Sequence, residues 1–195
     1  DETQNLYKEV DIRANKIKTL KAEGFIPYVS KFDTTHTLKE ARELPMGTKV
    51  SIAGRMTFRR AFGKFMFIQL SDIYAKIQVS LSVNEIPEEK YKFFKDYVDI
   101  ADFVGITGEL YTTQTGEITV KTYEFQLLSK AMLPLPEKFH GLTNNDLRFR
   151  QRYVDLIMNP NVKRNFKIRS QFIKFMRKYL DDMDYVEVET PVLNT

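Results

Sequence analysis

The sequence predicts an α+β chain in which a five-stranded β-barrel follows an N-terminal helix and precedes a second, helix-led segment. Three observations carry that expectation. Apolar residues recur every three or four positions up to Leu20, at every second position in the runs that follow Val50, and every three or four again after Pro160. The middle region orders its elements as three strands, a helix and two strands. A proline-bearing stretch, KAMLPLPEKFHGL, then separates that region from the last.

In NLYKEVDIRANKIKTLKAEG, the residues Leu6, Val10, Ala14, Ile17 and Leu20 make one apolar helical stripe, and Gly24 is a natural stop. FIPYVSKFDTTHTLKEARELP reads as a loop with a short helix at Thr37–Leu44, where Thr37 and Glu40 fit a capping box. The period then changes to two. Val50, Ile52, Met56 and Phe58 fall on one face of a strand, with Arg55, Thr57 and Arg59 on the other. Met66, Ile68 and Leu70 alternate with Phe65, Phe67 and Gln69; Ile77, Val79 and Leu81 alternate with Lys76, Gln78 and Ser80. PEEKYKFFKDYV interrupts as a helix with a Tyr91–Phe94–Val98 stripe opened by Pro87. FVGITGEL and ITVKTYEFQLL supply two more strands around the turn TQTGE. This is the element order of an OB-fold, a Greek-key barrel that often binds single-stranded nucleic acid.

After the linker, NPNVKRNFKIRSQFIKFMRKYLDD reads as a long helix with Asn159 at the N-cap and Pro160 in the first turn. Phe172, Met176, Tyr179 and Leu180 form its stripe, expected to be buried, and YVEVETPV closes the chain as a strand. The expected organisation is a helical segment over 1–47, the barrel over 48–130, a linker over 131–147 and a further unit over 148–195.

Composition narrows the function. With 43% hydrophobic and 29% charged residues, the 195-residue chain is ordinary for a globular protein. No apolar run nears the ~20 residues of a membrane span, and no secretory signal opens the sequence. Cysteine is absent, which removes disulfides and thiolate metal sites and suits a reducing compartment. The net charge of +4 is mild, but Lys49, Arg55, Arg59, Arg60, Lys64 and Lys76 stand in one stretch against Asp72 alone. A single-signed run of this kind is either a solvated face or a surface for an anionic partner.

If the aliphatic residues face the core, Phe65 and Phe67 share the outer face with Arg55, Arg59, Lys76, Gln78 and Ser80. Aromatic rings for stacking, cations for phosphates and an amide for base edges are what unstacked bases require. The alternative is that either phenylalanine lies under the N-terminal helix or a loop. No Gly-rich phosphate loop, metal-ligand cluster or nucleophile–base pair is present, so no catalytic residue is assigned. His36 and His140 stand apart and are expected at the surface or in satisfied structural roles.

Several stretches together resemble the N-terminal part of class II lysyl-tRNA synthetases: GFIPYVSKF, GRMTFRRAFGKFMFIQLSD, KIQV, GELYTTQTGEITV, PLPEKFHGL, RFRQRYVDLI and FKIRSQFIKFMRKYLDDMDYVEVETPVL. The resemblance runs from Leu6 to Leu193. It implies an anticodon-binding barrel that reads the uridine-rich lysine anticodon, with Phe67 stacking on the middle base, Gln78 bonding its edge and Arg59 contacting the same nucleotide. Glu117 would complete the pocket, or else is a solvated turn carboxylate. Arg55 and Phe65 are placed on the same face by alternation.

The second half resembles motif 1 of that class, which builds a homodimer interface; Phe172, Met176 and Pro191 are its candidate residues, although the stripe alone is equally well ordinary core. Asp184 stands where the family usually has glycine, and Phe149 where it usually has tyrosine. The implied parent enzyme is a cytoplasmic lysine–tRNA ligase using ATP and Mg²⁺. The family's motifs 2 and 3 fall beyond Thr195, so the chain is expected to be a piece of a longer enzyme and inactive in aminoacylation by itself. Two other readings remain: a stand-alone OB-fold RNA-binding module, and the related aspartyl or asparaginyl synthetase. RFRQRYVDLI and PLPEKFHGL favour lysine.

Overall fold

The computed structural model describes residues 2–136, 142 and 144–192. Residues 137–141 of the linker, including His140, lie outside these. The chain divides into two compact units, Asp1–Leu135 and Pro136–Thr195.

The first unit opens with helix α1 (Glu2–Ala22). Its stripe is used only toward the C-terminus: Ile17 and Leu20 are buried, Val10 and Ala14 half-buried, and Leu6 exposed. Helix α2 (Leu38–Ala41) carries the expected capping box, with Glu40 N donating to Thr37 Oγ1 at 3.2 Å and Thr37 N donating to Glu40 Oε2 at 2.8 Å. Strands β1 (Lys49–Phe62), β2 (Phe65–Ser71) and β3 (Lys76–Ser82) form the meander, and helix α3 (Glu88–Tyr97) separates it from β4 (Phe103–Thr112) and β5 (Ile118–Ser129). The strands close into a barrel in the order β1-β2-β3-β5-β4. Closure depends on the length of β1, which pairs with β4 over Lys49–Arg55 and with β2 over Arg55–Phe62. The β3–β5 seam is parallel and has only three register pairs.

Alternation places the core as the sequence predicts. Met66, Ile68, Leu70, Ile77, Val79 and Leu81 all face inward and are buried. Helix α3 covers the barrel with Phe94 and Val98, and its Tyr91 hydroxyl donates to Gly63 O at 3.0 Å. The loop before α2 lies flat on the barrel because Gly105 has no side chain; a Cβ there would sit 2.5 Å from the Phe32 ring.

One expected core residue is not in the core. A bulge between Met56 and Phe58 leaves Thr57 as an extra residue in β1, so Met56 faces Leu70 while Phe58 faces Gln69. Every side chain after Thr57 changes face, and Phe58 is 44% exposed.

The second unit contains α4 (Asn145–Arg150), α5 (Arg152–Met158) and α6 (Pro160–Asp181). Asp155, fully buried, ties them together: it accepts from Arg148 Nε at 3.0 Å, from Asn159 Nδ2 at 2.6 Å and from Arg152. Burial works to raise its carboxyl, but these bonds outweigh burial and hold it below the usual carboxylate range. Asn159 therefore occupies the N-cap position of α6 but spends its side chain on Asp155 instead of on the cap.

Two further expectations fail in this unit. Phe172, Met176, Tyr179 and Leu180 are exposed, at 60%, 45%, 56% and 44%, because no described element packs on that face of α6. YVEVETPV forms no strand, and its described residues are exposed. Its composition favours extended backbone, but a strand needs a neighbour to satisfy its N–H and C=O groups. The end of α6 is a Schellman motif: Tyr185 N donates to Leu180 O, and Asp184 N donates to Asp181 O. Asp184 takes the left-handed position at φ 61°, the conformation that glycine favours. No helix among the described residues is long and apolar enough to cross a membrane.

Candidate nucleic-acid interface

The ladder arranges the outer face of the meander in rows of neighbours spaced about 5 Å apart. Phe62 faces Phe65, which faces Ser82; Arg60 faces Phe67, which faces Ser80; Phe58 faces Gln69, which faces Gln78. Gln78 in turn pairs with Thr119, and Ser80 with Lys121, across the parallel seam. The two-residue turn Gly63–Lys64, with Gly63 at φ 58°, joins β1 to β2 and sets the Phe62–Phe65 register. Phe65 and Phe67 stand edge to face with ring centres 4.8 Å apart, and both are half-buried. The Arg60 guanidinium lies 4.7 Å from the centre of the Phe62 ring.

Gln78 Nε2 donates to Thr119 Oγ1 at 2.9 Å, and that hydroxyl donates to Glu117 O at 3.2 Å. The Glu117 carboxylate is half exposed and meets Arg42 Nη1 at 3.3 Å, while the same Arg42 nitrogen donates to Lys76 O. Ser80, expected on the open face, is instead buried, accepting from the Tyr111 hydroxyl at 3.1 Å.

The two arginines expected on this face have different surroundings. Arg59 follows the bulge, faces Ile68, and so lies on the opposite side of the strand from Phe67. Its Nη1 donates to Lys95 O at 3.1 Å and Val98 O at 2.8 Å, at the C-terminal end of α3, where exposed carbonyls attract a cation. Arg55 precedes the bulge and keeps the outer face, packed 4.3 Å over the Phe103 ring with Nη1 donating to Ala101 O. Burial lowers the pKa of its guanidinium, with Asp102 pulling the other way. Arg60 is the cation that the structure sets beside Phe67. Straight alternation misses it, along with Phe58 and Phe62, because no glycine at Thr57 or beside it marks the bulge.

The candidate residues of the second unit, Phe172, Met176 and Pro191, are all exposed. His36 is half-buried, and its Nδ1 is hydrogen-bonded to Thr35 Oγ1 at 2.9 Å. Among the described residues, no group of three or more His, Asp or Glu side chains converges as a metal site.

The model for the OB-fold nucleic acid binding domain matches residues 50–128, from the start of β1 to the end of β5. The model for class II tRNA synthetases (D, K and N) matches residues 144–195. Across both units, the chain is 48% identical over 187 residues to a lysine–tRNA ligase of Clostridium novyi, covering 93% of this chain and 36% of that relative. Nearly the whole chain is thus similar to lysine–tRNA ligases. A relative of the same name from Carboxydothermus hydrogenoformans is 44% identical over 99% of this chain and 40% of its own length, and one from Enterococcus faecalis is 43% identical over 98% and 40%. The chain spans 36–40% of the length of these relatives. The synthetase match begins at Asn144, the N-cap of α4, so the boundary between the two family models falls where the chain divides into its two units.

Proposed function

We propose that this chain supplies the anticodon-binding part of a lysine–tRNA ligase, the enzyme that joins lysine to its tRNA at the expense of ATP. The observation that carries the reading is the row in which Arg60, Phe67 and Ser80 lie side by side, flanked by the row that ends on Gln78. Phe67 offers a ring on which the middle anticodon base stacks. Gln78 offers an amide to its edge, and Arg60 a cation to the adjoining phosphate. Phe65 holds the Phe67 ring edge-on, and Glu117 borders the pocket with its charge balanced by Arg42. Arg55 and Arg59 hold the frame of that face through backbone carbonyls.

The exposed stripe of α6, with Phe172, Met176 and the following Pro191, serves as a subunit contact in a homodimeric enzyme. The expected compartment is the cytoplasm, where tRNA is charged. ATP and Mg²⁺ belong to the parent reaction, and the described residues bring together no acidic cluster for the metal. The relatives' names favour lysine over the aspartate and asparagine members that the same family model covers.

The test is binding of the chain to a lysine-anticodon stem-loop and to the same loop with its middle base changed, at two salt concentrations. Preference for the uridine loop that survives added salt supports the reading. Equal binding to both loops, abolished by salt, overturns it, because counterion release alone then accounts for the affinity.

A further inference from the structure

We propose that Thr119 fixes which way the Gln78 amide points and so makes this site select uracil over cytosine. The inference rests on the reading of Gln78 as the base-edge contact and adds to it the residue that gives that contact its sense.

A threonine hydroxyl has one proton and can otherwise only accept. Thr119 Oγ1 donates its proton to Glu117 O at 3.2 Å, so toward Gln78 it can only accept. Gln78 must therefore present its NH₂ group to Thr119, as it does at 2.9 Å. Turning the amide over would set Oε1 against the hydroxyl oxygen, lone pair to lone pair, unless the Thr119 proton swung away from Glu117 O and gave up that bond. Thr119 is fully buried on β5, so no water replaces the bond that such a rotation gives up. On the other side of Gln78 its register partner Gln69 lies beside the Thr57 hydroxyl, 3.3 Å from its Oε1, and makes no side-chain hydrogen bond to Gln78.

With one N–H held by Thr119, the amide shows the solvent its Oε1 and its second N–H, in fixed order. A uracil edge carries the N3–H donor between two carbonyl acceptors, O2 and O4. A cytosine edge carries the N3 acceptor beside the N4 amino donor, the inverse pattern. A free glutamine can pair with either by a half-turn of its last torsion. A glutamine locked by Thr119, with Oε1 opposite N3 of a base held in plane by the Phe67 ring, accepts from the uracil N3–H and meets only a lone pair on cytosine.

The experiment measures affinities of the 195-residue chain for two anticodon stem-loops that differ only by uridine or cytidine at the middle base. Thr119→Val keeps the shape of the side chain and removes the acceptor; Thr119→Ala removes the same acceptor without the branch. In both, the uridine-to-cytidine affinity ratio is expected to fall on the order of tenfold, mainly by gain of the cytidine loop. Thr119→Ser keeps the acceptor and restores the ratio. Melting temperatures of all four proteins separate a general loss of fold, which weakens both loops alike, from a loss of selectivity. If the wild-type chain discriminates and Thr119→Val and Thr119→Ala discriminate equally well, the inference falls while the anticodon reading stands. If the wild-type chain does not discriminate, the anticodon reading fails and the inference falls with it.

Discussion

Neighbouring arginines take opposite faces of β1, and the extra residue Thr57 decides which of them stands beside Phe67, so their replacement should separate folding from binding. Arg59→Ala removes two bonds to the C-terminal carbonyls of α3 and should cost about 1–2 kcal/mol of stability, read by urea denaturation, with stem-loop affinity retained in the folded fraction. Arg60→Ala should leave the melting temperature unchanged and weaken RNA binding uniformly across sequences. It should also flatten the slope of log affinity against log salt by about one unit. The reverse outcome would put Arg59 on the RNA. A second pair of variants tests the alternation itself. Phe67→Ala should weaken stem-loop binding by about 1–3 kcal/mol without unfolding the barrel. Met66→Ala, one residue away but fully buried, should instead destabilise folding by about 2–5 kcal/mol.

At the scale of elements, α1 is held by a polar cluster as well as by the buried Ile17 and Leu20. Lys16 Nζ donates to Asp99 Oδ1 at 2.7 Å, Lys130 bonds both Asp99 and Asp102, and Arg13 Nη1 donates to Ile100 O at 3.0 Å and Ala131 O at 3.1 Å. Burial acts to raise the Asp99 carboxyl, but the bonds from Lys130 and Lys16 outweigh it and leave the pKa below its ordinary value. A carboxyl depressed in the folded state stabilises the fold fully above its unfolded pKa of about 4, and the contribution is lost as pH falls through the lower, folded value. Thermal melts from pH 5 downward should therefore show an acid loss that is shallower in Lys16→Met, which removes one of the depressing partners. At the far end of α6, Asp184→Gly should relieve the left-handed strain and raise stability by up to about 1 kcal/mol. A lower melting temperature would mean that the aspartate side chain contributes more to that turn than its backbone costs.

Over the whole molecule, what the sequence made legible is what depends on neighbours along the chain. The aliphatic residues of β2 and β3 declare the core because a period of two leaves them no other common face. The capping box at Thr37 and Glu40 is local by construction. The bulge at Thr57 is not, since it is decided by how β1 fits β2, and one inserted position reverses every later assignment from Phe58 to Phe62. Gln78 and Phe67 were placed on the outer face correctly because both lie on strands without such an insertion. The stripe of α6 was visible as a stripe, but nothing within it says what covers it. The same holds for YVEVETPV, whose residues favour extended backbone but cannot name the strand beside it.

The short parallel seam has a consequence in time. Elsewhere the barrel is joined by long antiparallel ladders, whereas β3 and β5 meet over three register pairs, and Gln78–Thr119 is one of them. Local opening starts where the fewest bonds must break together, so amide protons along this seam should exchange with deuterium sooner than those of the β1–β2 or β4–β5 ladders. A bound RNA loop that engages Gln78 closes that route by mass action. Slower exchange at Val79 and Val120 on adding the stem-loop, with the β4–β5 ladder unchanged, would show the nucleic acid acting as the missing stitch of the barrel.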